Sequence, residues 1–236
     1  MYFQKVFLFI FIIINNGCFK NCILFDENAN NIYGIDVSHY QNSESPIDWK
    51  KVANNTSPKI QFAYIRTTMG KDGVDNDFKY NIEQARKNGI KVGVYHYYRP
   101  NENSTEQFEN FLKNNQKIGD LPPVIDIEEK SDFGTKNLKI GILNFITLIE
   151  LKYNVKPIIY AHQRFYNTYL LNSFKDYQLW IARHHGIKES PKNNQTNKKP
   201  FLFDQRCPII WQYSGSGKIE GISGLVDLNI ISQPIW

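Results

Sequence analysis

The sequence predicts an α/β fold: a single, distorted (β/α)8 barrel of the TIM-like kind. Three observations predict it. Eight short apolar runs of strand length lie between residues 33 and 229. Amphipathic helical stretches separate the earlier runs, and such strand–helix alternation makes a parallel sheet. The chain has 236 residues, a length at which an α/β barrel commonly forms one domain. Eight strands in one domain favour closure over an open sheet.

The strand-like runs are 33–37, 62–66, 91–97, 123–128, 156–161, 178–182, 209–213 and 225–229. Between them, 78–88 reads as a helix closed by Gly89, a residue suited to a helix C-terminus. The stretch 104–115 opens with Ser104-Thr105-Glu106-Gln107, a helix-start signal. The stretch 135–153 carries Leu138, Ile142, Phe145, Ile146 and Ile149 at helical spacing. The later strands have no full helices between them, so irregularity is expected there. Residues 188–199 are polar, with Pro191 and several Asn, and read as an exposed loop.

Hydrophobic residues make up 42% of the chain and charged ones 22%, which excludes a disordered protein. The net charge of +5 comes without a Lys/Arg run, so no nucleic-acid partner is expected. Lys5 precedes an apolar run, 6–14, that is too short to span a bilayer and fits a signal-peptide core. Residues 1–17 are therefore read as a signal peptide, with no stable membrane span after its removal. Gly17 before Cys18 leaves a lipid-anchored Cys18 open. The Asn-rich stretch 18–32 reads as a linker and 33–236 as the working domain, secreted or held in the cell envelope. Only Cys18, Cys22 and Cys207 occur, so there is neither a disulfide framework nor a CxxC pair. The sequons at Asn54, Asn103 and Asn194 are matches that an Asn-rich chain produces by chance.

In a (β/α) barrel, chemistry sits at the C-terminal ends of the strands. Asp36 falls there in the first run, Asp126 and Glu128 in the fourth, and Asp227 in the last. Asp126 and Glu128 are the sharpest pair. In a strand, residues i and i+2 face the same side with Cα atoms about 6.6 Å apart. Two adjacent acids near apolar walls raise the pKa of one of them. Glycoside hydrolysis uses such a split: one acid protonates the leaving oxygen and the other stabilises positive charge at the reacting carbon. A bare Asp-x-Glu equally fits two strand-end carboxylates that cap loops or pair with Arg. Four carboxylates also suit a divalent cation, although no HxH or HExxH spacing supports a metal. His184 and His185 are placed at the surface. Neither a phosphate loop nor a GxSxG elbow appears. The chain holds 14 Tyr, 16 Phe and 4 Trp. Tyr64, Tyr95, Tyr97, Tyr160, Trp180 and Trp211 cluster near the same strand ends, as a core or as sugar-stacking surfaces. Tyr95 and Tyr97 share one face, and His96 and Tyr98 the other.

Several segments together resemble a known family. They are Gly34-Ile35-Asp36-Val37-Ser38-His39-Tyr40-Gln41, Ile47-Asp48-Trp49, Phe62-Ala63-Tyr64-Ile65-Arg66, Gly93-Val94-Tyr95-His96-Tyr97, Leu121 through Glu128, Lys156 through Tyr160, Leu179-Trp180-Ile181-Ala182, Trp211-Gln212-Tyr213 and Val226-Asp227-Leu228-Asn229. In this order and spacing they resemble glycoside hydrolase family 25, the Chalaropsis-type lysozymes, over about residues 33 to 230. The resemblance implies hydrolysis of the β-1,4 bond between N-acetylmuramic acid and N-acetylglucosamine in peptidoglycan. It implies Glu128 as proton donor, and Asp126 as stabiliser of an acetamido-derived intermediate or as nucleophile. Asp36 and Asp227 match two further active-site acids. No metal or organic cofactor is expected, and the protein is expected to be a monomer. One departure stands out: where many members carry a Lys-Ala-Thr-Glu-Gly-like segment, this chain reads Arg66-Thr67-Thr68-Met69-Gly70. Met69 in place of an acid keeps open a non-catalytic module that binds wall glycan. A glycosidase acting on chitin-like chains is the third reading.

Overall fold

A computed structural model describes residue 25, residues 31–184 and residues 199–236. The expected signal segment, Cys18 and nearly all of the 188–199 loop lie outside the described residues. Nine strands form one sheet: β1 (Ile32–Val37), β2 (Ile60–Met69), β3 (Gly73–Val74), β4 (Lys91–Tyr97), β5 (Val124–Asp126), β6 (Ile158–His162), β7 (Leu179–Ala182), β8 (Ile210–Gly217) and β9 (Val226–Ile231). Their order is β1-β9-β8-β7-β6-β5-β4-β2-β3, and β1 also pairs with β2. That extra pairing closes eight strands into a barrel and leaves β3 as a short hairpin arm on the end of β2.

The barrel is mixed, which corrects the expectation of parallel strands throughout. Strands β1, β2 and β4–β8 run parallel to their neighbours, but β9 is antiparallel to both β8 and β1. Residues 218–225 are too few for the dozen or so that a parallel crossover needs, so β8 and β9 form a hairpin. The fourth expected strand is also shorter than predicted. Pro122 and Pro123 precede it, and regular pairing stops at Asp126.

Among the described residues the four longest α-helices pack outside: α1 (Trp49–Asn54), α2 (Phe78–Lys87), α3 (Ser104–Asn114) and α4 (Gly134–Tyr153). The side chain of Asp48 caps α1 by accepting from Lys51 N. Asn103, one residue before the expected start, caps α3 by accepting from Thr105 N and Glu106 N. Gly89 follows α2 at φ +81°, a conformation costly for any residue with a Cβ. In α4 the buried residues are Leu138, Ile142, Phe145, Ile146 and Ile149, the five whose spacing predicts its inner face. His96 faces this layer and stacks 4.7 Å from Phe145. The Gln107 carbonyl oxygen requires the proton on His96 Nε2, so Thr68 donates to Nδ1. Burial pulls His96 down to about 4 and keeps it neutral. Among the described residues no helix is long and apolar enough to cross a membrane.

The barrel interior is filled rather than open. Phe62, Tyr64, Val124, Ile158, Trp180 and Ile210 meet inside it. Two glycines make room for the largest rings: a Cβ on Gly34 would lie 2.4 Å from Phe62, and one on Gly93 would lie 2.2 Å from Tyr64. On the far side, among the described residues, none of the four helices joins the apolar cluster around Trp211 on the outer face of β8 and β9. Their outward residues Trp211, Tyr213 and Ile230 are capped instead by Phe25, which stacks 5.6 Å from Trp211. Phe25 is thus a packed residue inside the stretch read as a linker, 18–32, and Ile32 already belongs to β1.

Candidate active site

The strand directions decide which acids meet. Asp36 is the penultimate residue of β1 and Asp126 the last of β5. Because β9 runs the other way, its second residue, Asp227, lies at the same mouth and pairs directly with Asp36 across the strands. Glu128 lies two residues beyond β5. Ile127 N donates to Tyr160 O at 3.0 Å, which carries the chain after β5 along β6 and points Glu128 over the opening. All four carboxylates line one cleft of about 220 Å³.

Asp36 is held by a network of amides. Its Oδ2 accepts from Gln212 Nε2 at 3.0 Å and from Asn229 Nδ2 at 2.7 Å. Those amides are themselves anchored: Tyr160 OH donates to Gln212 Oε1 at 2.9 Å, and Trp180 Nε1 donates to Asn229 Oδ1 at 2.9 Å. His184 is exposed, yet its Nε2 also reaches Gln212 Oε1 at 2.8 Å. Tyr160 and Trp180 therefore combine cleft lining with support of an acid. Asp126 contrasts with Asp36. It is buried, and its Oδ1 has no hydrogen-bond partner among the described residues.

Burial sets the electrostatics. It pushes Asp126 well above the ordinary carboxylate range, and the nearby charge of Glu128 adds to this. Burial and then the charge of Asp227 raise Asp36 likewise. Asp227 rises to about 6 through burial, although the hydrogen bond from Asp36 pulls against the rise. Arg66 opposes the accumulation of negative charge and lowers the pKa of Asp126. It is fixed by Asp75, whose side chain is fully buried and accepts from Arg66 Nε at 3.3 Å. Asp75 also accepts from the backbone N–H groups of His39 at 2.8 Å and Asp77 at 3.1 Å, tying the turn after β1 to β2.

Of the six aromatics singled out in the sequence, Tyr95, Tyr97, Tyr160 and Trp180 line the cleft. Tyr64 and Trp211 do not, which corrects their reading as sugar contacts. Tyr64 is fully buried beneath the cleft, where its hydroxyl donates to Pro122 O at 3.1 Å. Trp211 points out of the barrel toward Phe25, and its Nε1 donates to Arg183 O at 3.0 Å. The strand period alone places a side chain inside or outside, not how deep it sits. Met69 is also absent from the cleft lining; Arg99 Nη2 lies 3.5 Å from its sulfur. Sequence reasoning missed Asp75, Asn229 and the supporting role of Gln212, as well as Tyr40, which is 66% exposed at the cleft edge. Tyr40, Gln212 and Asn229 stood inside segments already noted, but only the fold aims them at the acids. Among the described residues, no group of three or more His, Cys, Asp or Glu is arranged to hold a metal ion.

Comparison with known proteins follows the same residues. The family model for glycosyl hydrolases family 25 matches residues 35–222, which include Asp36, Asp126 and Glu128 and stop short of Asp227. The chain belongs to glycosyl hydrolases family 25. As a member it is a glycoside hydrolase. An uncharacterised Escherichia coli protein, YegX, is 34% identical over 207 residues, which is 86% of this chain and 71% of that protein. Lysozyme M1 of Streptomyces globisporus is 31% identical over 84% of this chain and 67% of its own length. The structure of a family 25 glycosyl hydrolase from Bacillus anthracis superposes with a TM-score of 0.73 at 28% identity, covering 89% of this chain and 92% of that one. The family barrel and this barrel are the same fold.

Proposed function

We propose that this family 25 hydrolase is an N-acetylmuramidase, which cuts the β-1,4 bond between N-acetylmuramic acid and N-acetylglucosamine in peptidoglycan. The observation that carries the reading is the pair Asp126 and Glu128 at one mouth, one buried with a free oxygen and the other half-open to incoming sugar. Glu128 is the proton donor. It reaches the glycosidic oxygen from the cleft rim, where a leaving sugar departs into water. Asp126 stabilises the positive charge that develops at the reacting carbon, either by holding the substrate's acetamido group or as nucleophile. Its unpartnered Oδ1 is a waiting acceptor for a substrate N–H. Both that hydrogen bond and a neighbouring oxocarbenium charge favour the ionised form, which burial by itself disfavours. Arg66 supports the same direction.

Tyr95, Tyr97, Tyr160 and Trp180 are the proposed sugar-contacting surfaces, with Asp36 and Asp227 completing the acidic wall. The 31% identity to a protein named Lysozyme M1 supports the proposal. The hydrolase domain spans residues 33–236, and the apolar run 6–14 supports export to the outside of the cell or its envelope. The test is digestion of purified peptidoglycan by the protein, with mass spectrometry of the fragments. New reducing N-acetylmuramic acid ends are expected. Intact glycan with bound protein would replace the proposal with a wall-binding module. Products from chitin but not from peptidoglycan would replace it with a chitin-type glycosidase.

A further inference from the structure

One aromatic ring at the cleft keeps a bare face. Tyr40 lines the cleft and is 66% exposed. Tyr160 and Trp180 line the same cleft but are only 6% and 2% exposed. Those two pack edge to face at 5.1 Å, so little of either ring is left for a sugar to cover. Tyr40 belongs to a short helical turn, His39–Asn42, that follows β1. An exposed tyrosine on a loose turn would spend much of its binding free energy on becoming ordered. This turn is already ordered. Ser38 N donates to Gln41 Oε1 at 2.9 Å and the Ser38 hydroxyl accepts from Tyr40 N, which together cap the turn. Gln41 Nε2 donates to Leu225 O at 3.1 Å, which ties the turn to the chain entering β9. His39 N donates to the buried Asp75. The ring itself is backed. The His39 ring lies 4.2 Å from it, and the Arg66 guanidinium carbon lies 5.4 Å from its centroid. Arg66 Nη2 also donates to His39 Nδ1. Two groups in such contact cannot lie on opposite faces of one ring, so they support the same face and leave the other open.

We infer that Tyr40 is a prebuilt stacking platform for one N-acetylhexosamine of the glycan strand, at a subsite on the β1 rim beyond the sugars whose bond is cut. The inference rests on the reading of the cleft as a glycan site. One face of a pyranose ring is a patch of C–H groups. A tyrosine covers that patch with its ring while its hydroxyl stays in water. Because the turn is held by Ser38, Gln41 and Asp75, the ring loses little freedom when the sugar arrives. A contact outside the bond being cut is the same in the ground state and the transition state. It therefore sets KM and leaves kcat alone. It also acts only on strands long enough to reach it.

The experiment measures kcat and KM on soluble peptidoglycan glycan oligomers of increasing length for wild type, Tyr40→Ala, Tyr40→Leu and Tyr40→Phe. Binding without turnover is measured by calorimetry with each placed in a Glu128→Gln background. Tyr40→Leu keeps bulk against His39 without a flat ring, and covers poor folding of Tyr40→Ala. In both of these variants Kd and KM for the longest oligomers should rise about tenfold, the loss of one well-covered aromatic side chain. For the shortest oligomer that is cut they should change less than about twofold, with kcat unmoved at every length. Tyr40→Phe keeps the ring and should match wild type. Equal affinity at every length, or a fall in kcat shared by all lengths, overturns the platform. A wild type that binds the oligomers without cutting them removes the muramidase reading, and the same ratios of Kd still decide on Tyr40. A wild type that binds none of them overturns both.

Discussion

Replacing Asp227 by Asn is expected to make the protein more stable at neutral pH and less active. Burial lifts the folded Asp227 carboxyl from 3.8 to about 6, whereas an unfolded Asp titrates near 3.9. Between these values the folded state holds more protons than the unfolded one. The stability is therefore fully present below about pH 4 and is lost as pH rises through about 6. A shift of about two units at about 1.4 kcal/mol each corresponds to on the order of 2 kcal/mol, allowing for the coupling of Asp227 to Asp36. An Asn cannot ionise and escapes that loss. Urea unfolding at pH 4, 6 and 8 measures it. The variant should equal wild type at pH 4 and exceed it by on the order of 2 kcal/mol at pH 8, about 4–8 °C in Tm. An offset that is the same at every pH, or none at pH 8, would refute the claim that the cleft stores strain in ionised Asp227.

Two further variants separate core from site. Tyr64→Phe removes the donor to Pro122 O and should cost about 1 kcal/mol in unfolding free energy. Its kcat/KM should stay within about twofold of wild type, since a buried ring below the cleft touches no sugar; a loss beyond tenfold would return Tyr64 to the binding surface. Phe25→Ala uncovers Trp211 and Tyr213 on the outer face of β8 and should lower stability by about 3 kcal/mol, read by thermal unfolding, while activity at 25 °C is retained.

How far the sequence could be read differs from element to element, for physical reasons. The inner face of α4 was fully legible because five apolar residues at helical spacing have one way to be buried together. The four acids were legible as strand-end residues near one mouth, since β1, β5 and β9 each carry a short run with the acid at one end. The direction of β9 was not legible from its own residues, because an antiparallel strand has the same period as a parallel one. Only the shortness of the 218–225 connection carried that information. Depth was likewise hidden. Tyr64 and Tyr160 both point inward, yet Gly93 lets the first sink beneath the cleft while the second reaches its edge. The partners of the acids come from distant positions: Asn229 lies 193 residues from Asp36, and Asp75 meets Arg66 through the β2–β3 hairpin. Such pairings follow from barrel closure, which no local pattern encodes. Phe25 was hidden for the same reason, as its partners are the outer residues of β8 and β9.

The central claim is that Glu128 gives the proton that breaks the glycan. Its most direct test is the rate at which Glu128→Gln releases new reducing ends from purified peptidoglycan, beside its Tm and its binding to intact walls. A loss of about 10²–10⁴-fold with Tm and wall binding unchanged is the predicted result for a general acid. Release at the wild-type rate would contradict the account and move the proton donor to another of the cleft acids.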